Sequence, residues 1–226
     1  QLDIADTALV SVTSNVRNSL FFNRISPKFR AEVGMLSNQS RIILTTGYED
    51  RQRNEQFLKL LWNINKQIST KLNTSIGKNA NDSEVFNTRD YILEFYEIEP
   101  ELVVQYKTSF RANLKYKFSD SKNTITDFEE TAVFHDISTE LTYRQKAKSA
   151  IVVNFSFVQV KFSGLSNTPL EFAMLQGLKN GQNFRWNVTY RRTLMKNLEI
   201  NLTYEGRKTG ELKVVHTGRA GVRAVF

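Results

Sequence analysis

Cysteine is absent from the 226 residues, which excludes disulfide cross-links, thiolate nucleophiles and cysteine-ligated metal clusters. Proline occurs three times and glycine ten times, too rarely for a low-complexity chain, and 40% of the residues are apolar. No uninterrupted apolar run approaches the roughly 18 to 20 residues that a membrane-crossing helix needs. Mean hydropathy is −0.40. That value speaks against spanning helices only, because a spanning β-strand needs about 9 to 11 residues with every second one apolar. The chain opens Gln1-Leu2-Asp3-Ile4-Ala5-Asp6, with neither a basic n-region nor an apolar h-region, so a mature chain or a fragment is expected.

Charge is abundant and of both signs: 31 Lys+Arg against 23 Asp+Glu, a formal net charge of +8. A basic surface could neutralise phosphates, but the basic residues are spread along the whole chain and alternate with apolar ones instead of gathering in a tract. No nucleic-acid partner is expected.

The dominant pattern is period two. In Phe110-Arg111-Ala112-Asn113-Leu114-Lys115-Tyr116-Lys117-Phe118, one face reads Phe, Ala, Leu, Tyr, Phe and the other Arg, Asn, Lys, Lys. Leu198, Ile200, Leu202 and Tyr204 likewise oppose Asn197, Glu199, Asn201, Thr203 and Glu205. Phe184, Trp186, Val188 and Tyr190 oppose Asn183, Arg185, Asn187, Thr189 and Arg191, and Phe29, Ala31, Val33 and Met35 oppose Lys28, Arg30, Glu32 and Gly34. Further strands are expected over 8–22, 57–64, 71–76, 91–106, 131–143, 151–162 and 218–226, about eleven in all. The segment 151–162 changes phase near Val158, which suggests a bulge. Pro100 removes a ladder donor and suggests a kink or turn.

Connections alternate in length. Short ones are expected at 23–27, 65–69, 107–109, 145–149 and 195–196, and longer, polar ones at 37–54, 77–85, 119–127, 163–182 and 206–214. Tight turns on one side and long loops on the other are the arrangement of an outer-membrane barrel. Alternation alone also suits a water-soluble antiparallel sandwich with solvated polar faces. In a soluble barrel the apolar face looks inward, whereas in a membrane barrel it meets lipid and the charged face lines the lumen. Phe21, Phe22, Trp62, Tyr106, Tyr116, Phe118, Tyr143, Tyr190 and Tyr204 lie near strand ends, as aromatic girdle residues do.

The chain ends Arg219-Ala220-Gly221-Val222-Arg223-Ala224-Val225-Phe226. This resembles the C-terminal β-signal of outer-membrane proteins, with Arg219, Gly221, Ala224 and Phe226 at the polar, glycine, hydrophobic and final aromatic places. Ala224 departs from the pattern, since an aromatic is commoner there. Segments such as Phe21-Phe22-Asn23-Arg24, Leu61-Trp62-Asn63, Leu175 to Asn183, Tyr204-Glu205-Gly206-Arg207 and His216-Thr217-Gly218-Arg219 look like the C-terminal region of large outer-membrane proteins of Bacteroidota. The resemblance implies an all-β, antiparallel transmembrane β-barrel of about 10 to 12 strands in this chain, either one domain over 1–226 or the C-terminal portion of a larger barrel. It implies a bacterial outer-membrane location with the C-terminus periplasmic. Partners on this reading are outer-membrane lipid and lipopolysaccharide, the barrel assembly machinery and other envelope proteins. An odd strand count adds the expectation that a further strand precedes Gln1 or comes from another polypeptide.

Candidate lumen charges are Arg111, Lys115, Lys117, Arg185, Arg191, Glu199, Glu205, Arg219 and Arg223, read either as a salt-bridge ladder or as a surplus of positive charge that attracts anionic solutes. Catalysis finds little support. His135 and His216 are the two imidazoles, and the His135-Asp136 pair places its members on opposite faces of a strand. Glu49, Asp50, Asp82 and Glu84 are the carboxylates nearest to a calcium set, in segments where carboxylates usually just hydrate. No cofactor and no metal is expected. The function expected is that of a non-enzymatic structural or scaffold barrel of the envelope, with an outer-membrane pore and a soluble extracellular β-sandwich as the alternatives.

Overall fold

The structure is a computed structural model that describes residues 10–44, 47–125, 129–146, 148–195 and 197–224. Eleven strands follow one another as β1 (Ser11–Phe22), β2 (Phe29–Leu44), β3 (Gly47–Asn63), β4 (Ile68–Ser83), β5 (Tyr91–Tyr106), β6 (Phe110–Asn123), β7 (Thr131–Gln145), β8 (Ser149–Ser163), β9 (Gly181–Met195), β10 (Leu198–Thr209) and β11 (Val215–Ala224). They form one sheet whose spatial order is the sequence order, each pair antiparallel. Among the described residues β1 pairs with β2 alone and β11 with β10 alone, so both outer strands present free edges.

The expected strand over 91–106 matches β5 residue for residue, and Pro100 does not end it. Pro100 stays opposite Leu72 of β4, and the β5–β6 register is the same on both sides of it, Ile98 facing Phe118 and Glu101 facing Lys115. The expected bulge near Val158 does not form: β8 keeps unbroken register with β7 and β9. The register shift falls instead at Leu198/Glu199, where β10 meets β9.

Much of the sequence expected as long loops is strand. Residues 37–44 and 47–54 belong to β2 and β3 and stand in register, with Ser37 opposite Asn54 and its hydroxyl donating to the Asn54 side-chain amide oxygen at 2.7 Å. Residues 77–83, 119–123 and 206–209 likewise prolong β4, β6 and β10. Apart from Ile42, Ile43 and Leu44, these extensions are mostly polar at successive positions, so the period-two signal vanishes although the ladder continues. The connection between β8 and β9 holds α1 (Pro169–Leu175). Thr168 caps it, its hydroxyl accepting from the Glu171 amide at 3.0 Å, and Pro169 sits where a missing N–H costs nothing. A single turn, Asn87–Arg89, lies between β4 and β5.

Candidate functional site

Every strand has two faces of opposite character, and burial identifies which one is covered. The buried apolar residues Phe57, Leu93, Phe95, Val103, Ala132, Phe134 and Val160 all share the register face of the charged residues. On this inner face α1 is laid down: Leu170, Met174 and Leu175 pack with Leu93, Ala132, Phe134 and Val160. The apparent phase change in β8 has its cause here, because Val158, Val160 and Phe162 point inward against the helix instead of into polar surroundings. The other face carries Val33, Met35, Ile76, Leu102, Leu114, Ile137, Leu141, Leu202 and Val222, all exposed. A water-soluble sheet hides its apolar face and solvates its charged one. This sheet does the reverse.

Register also gives the strand tilt. Following opposed residues from Phe22, the last residue of β1, the line runs through Ala31, Leu60, Leu72 and Pro100, then, by the register kept on both sides of Pro100, through Tyr116, Ile137 and Phe157 to Phe184 and Lys208. Phe22 stands beside a short turn, while Phe184 is the fourth residue after a long connection. A line perpendicular to the strands thus crosses from one rim almost to the other. The outer aromatics drift with it, from Phe22 and Trp62 to Tyr106, Tyr143 and Tyr190 on later lines. Tilt with a cumulative stagger is how a sheet curls into a barrel while its apolar band stays level.

All nine candidate lumen charges fall on the inner face by register. Lys117 bonds Glu97 at 2.9 Å and Lys115 bonds Glu99 at 3.3 Å, while Lys71 of β4 takes Glu101 at 2.9 Å. Glu97, Glu99 and Glu101 were not singled out from the sequence, although their strict alternation in Glu97-Ile98-Glu99-Pro100-Glu101 was available. Arg191 meets Glu199 at 3.2 Å, and Glu205 accepts from the Asn187 amide at 3.3 Å. Arg111 faces Thr142. Arg185, Arg219 and Arg223 make no ion pair or hydrogen bond among the described residues. Exposed pairs of this kind contribute roughly 0 to 1 kcal/mol each, so the ladder tunes the wall more than it holds it.

Of the C-terminal motif, Arg219 and Gly221 share the inner face of β11 and Ala224 lies on the outer one with Ala220 and Val222; Phe226 lies outside the described residues. Both histidines are on the outer face. His135 Nδ1 is 2.7 Å from the Tyr116 hydroxyl and His216 Nδ1 is 2.8 Å from that of Tyr204, each imidazole stacked on its tyrosine. Asp136 points to the other face, where the Ser156 hydroxyl donates to it at 3.4 Å, so the two adjacent residues are not a catalytic pair. Three of the calcium-like carboxylates are engaged separately, Arg51 bonding Glu49 at 2.9 Å, Arg41 bonding Asp50 and Glu84 accepting from the Tyr48 amide at 3.1 Å, while Asp82 stands opposite Asp50. In the β6–β7 connection Lys122 donates to Glu129 at 2.6 Å and holds that carboxyl below its usual range.

On the outer face Trp186 lies over Gly206, its directly opposed residue, and a Cβ at 206 would overlap the indole. Gly206→Ala is expected to push the indole off its neighbour. The cost is about 1 to 3 kcal/mol, and the Trp186 emission of a Trp62→Phe background should shift; an unchanged spectrum would mean the indole does not rest there.

The tilted meander with an apolar exterior and a polar, charged interior wall is the fold of an outer-membrane β-barrel. Solved structures agree. The chain is similar to the outer membrane channel DcaP of Acinetobacter baumannii, with 12% identity, a TM-score of 0.60, and coverage of 93% of this chain and 61% of that one. It is similar to the outer membrane transporter YddB from Escherichia coli, with 9% identity, a TM-score of 0.58, and coverage of 94% and 36%. The ferric enterobactin receptor PfeA aligns with 9% identity, a TM-score of 0.55, and coverage of 95% and 42%. The chain therefore spans about a third to three fifths of those proteins. No family model and no curated protein matches it.

Proposed function

We propose that the chain is a wall of an integral outer-membrane β-barrel without enzymatic activity, serving as a scaffold part of an envelope assembly. The observation that carries this reading is the inverted polarity of the sheet, apolar and exposed outside, charged inside on the face that α1 partly covers, on tilted strands. The free edges of β1 and β11 suit it to pairing with further strands, since an edge displays unused backbone donors and acceptors. On this reading the rim that carries the long 164–180 connection is extracellular; β11 runs away from that rim, so Ala224 stands at the opposite one, taken as periplasmic. A periplasmic C-terminus, recognition of the Arg219 to Phe226 segment by assembly machinery, and kinship with large Bacteroidota barrels belong to this proposal. Contact with lipid and lipopolysaccharide is part of it as well.

A pore is the second reading, favoured by the polar wall. Against an open one stands α1, which occupies the inner face at the long-connection end. Two measurements separate these. The folded protein is expected in the detergent-extracted outer-membrane fraction, migrating faster on unheated than on heated gels; recovery from the soluble fraction would sink the barrel reading. In planar bilayers the scaffold reading expects no steady current, and a persistent open-pore conductance would replace it with the pore.

A further inference from the structure

The inner wall divides electrostatically into two parts. Of the seven ion pairs that the described residues make on the inner face, six lie within β1–β6, and Arg191–Glu199 alone lies on β9–β11. On that last third, Arg185 and Arg207 are directly opposed on neighbouring strands, both facing inward and both exposed. Like charges in that position destabilise a sheet, and guanidinium groups do not relieve the repulsion by losing a proton. Neither arginine has an ion-pair partner among the described residues. Glu205, the carboxylate one pair-line away, is taken by Asn187.

The pattern continues down the wall. Arg219 faces Thr203, two pair-lines below Arg207, and Arg223 faces Glu199, two lines lower again, while Glu199 is bonded by Arg191. From Arg207 to Glu199 the strand advances eight residues, about 26 Å at roughly 3.3 Å each. The exposed guanidinium groups therefore form a series of steps from the long-connection rim towards the short-turn rim. Each presents a planar fork that matches an oxyanion in two hydrogen bonds. A series of weak sites, instead of one tight site, lets a charged solute enter and leave.

We propose that Arg185, Arg207, Arg219 and Arg223 form an oxyanion-binding staircase on the inner wall of β9–β11, taking elongated, multiply charged phosphates or carboxylates. This rests on the reading of the chain as a barrel wall whose charged face is inside. An unpaired arginine row supplies the attraction, and its spacing sets the length of ligand that engages several steps at once.

The test uses the full chain folded in detergent micelles, with heat-dependent migration checked first and calorimetric titration with tripolyphosphate and, separately, tricarballylate. Wild type is expected to bind at least one of them, the first alone indicating phosphate selectivity and both a general oxyanion track. The pairs Arg185→Gln/Arg207→Gln and Arg219→Gln/Arg223→Gln are each expected to weaken binding at least 10-fold, with a shallower salt dependence. Arg24→Gln, in the β1–β2 turn, is expected to leave it within 2-fold. Absence of binding at millimolar ligand, or equal losses in Arg24→Gln and the paired variants, would overturn the staircase. Failure of wild type to show heat-dependent migration would instead overturn the barrel reading beneath it.

Discussion

Leu114→Arg is expected to weaken folding into lipid bilayers by about 2 to 4 kcal/mol, roughly a 30- to 1,000-fold change in the folding equilibrium. Leu114 sits in mid-β6 on the outer face between Leu102 and Thr139, and is 49% exposed. At a half-exposed site on a water-soluble sheet the same substitution would be close to neutral, within about 0.5 kcal/mol. The effect is therefore large only if lipid is the solvent of that face. Lys115→Gln is the matched control one residue away on the inner face. It removes the partly exposed bond to Glu99 and is expected to cost no more than about 1 kcal/mol. Urea titration of protein folded into liposomes, followed by tryptophan emission, reads both. Equal, small effects at 114 and 115 would mean that the apolar face does not meet lipid.

Leu175→Ala is expected to cost about 2 to 4 kcal/mol and to release the connection between β8 and β9. Leu175 is 2% exposed, and it is held with Met174 and Leu170 against Ala132 and Val160, which are 0% and 1% exposed. Cutting its side chain back leaves a cavity in the one compact apolar cluster that the described inner face contains. A seven-residue helix is too short to persist without that packing. Limited proteolysis should then cut within 164–180 in the variant and spare the wild type. Phe172→Ala, on the exposed side of the same helix, is expected to change stability by less than about 0.5 kcal/mol and to leave the connection protected. A Leu175→Ala protein as resistant as wild type would mean that α1 is not anchored by this cluster.

Where the alternation is unbroken, sequence and structure coincide, as in the phases of Arg111, Lys115 and Lys117 on β6, and the less regular segment 91–106 also coincides with β5 in its bounds. The misses have definite causes. Residues 37–44 and 47–54 read as loop because their mostly polar, non-alternating sequence carries no period of two, and only the partner strand reveals the ladder. Val158, Val160 and Phe162 suggested a slipped phase because nothing local announces that the inner face turns apolar beneath α1. The helix itself had a weak sign in Thr168-Pro169-Leu170-Glu171, a capping pattern before the apolar run Phe172-Ala173-Met174-Leu175. Arg207 was expected in a loop and so was not counted with the lumen charges, although it stands opposite Arg185.

The sequence by itself determined the strand period, the count near eleven and the separation of apolar from charged residues onto two faces, since side chains alternate along any extended backbone. It left open which face is covered, which charges meet and how the strands lean. Those were decided by register and curvature: the same Lys115 meets Glu99 or solvent according to where β6 stands beside β5, and the same apolar stripe is core or lipid surface according to which way the sheet bends. Such facts lie between strands distant in sequence, so only the tertiary structure decides them.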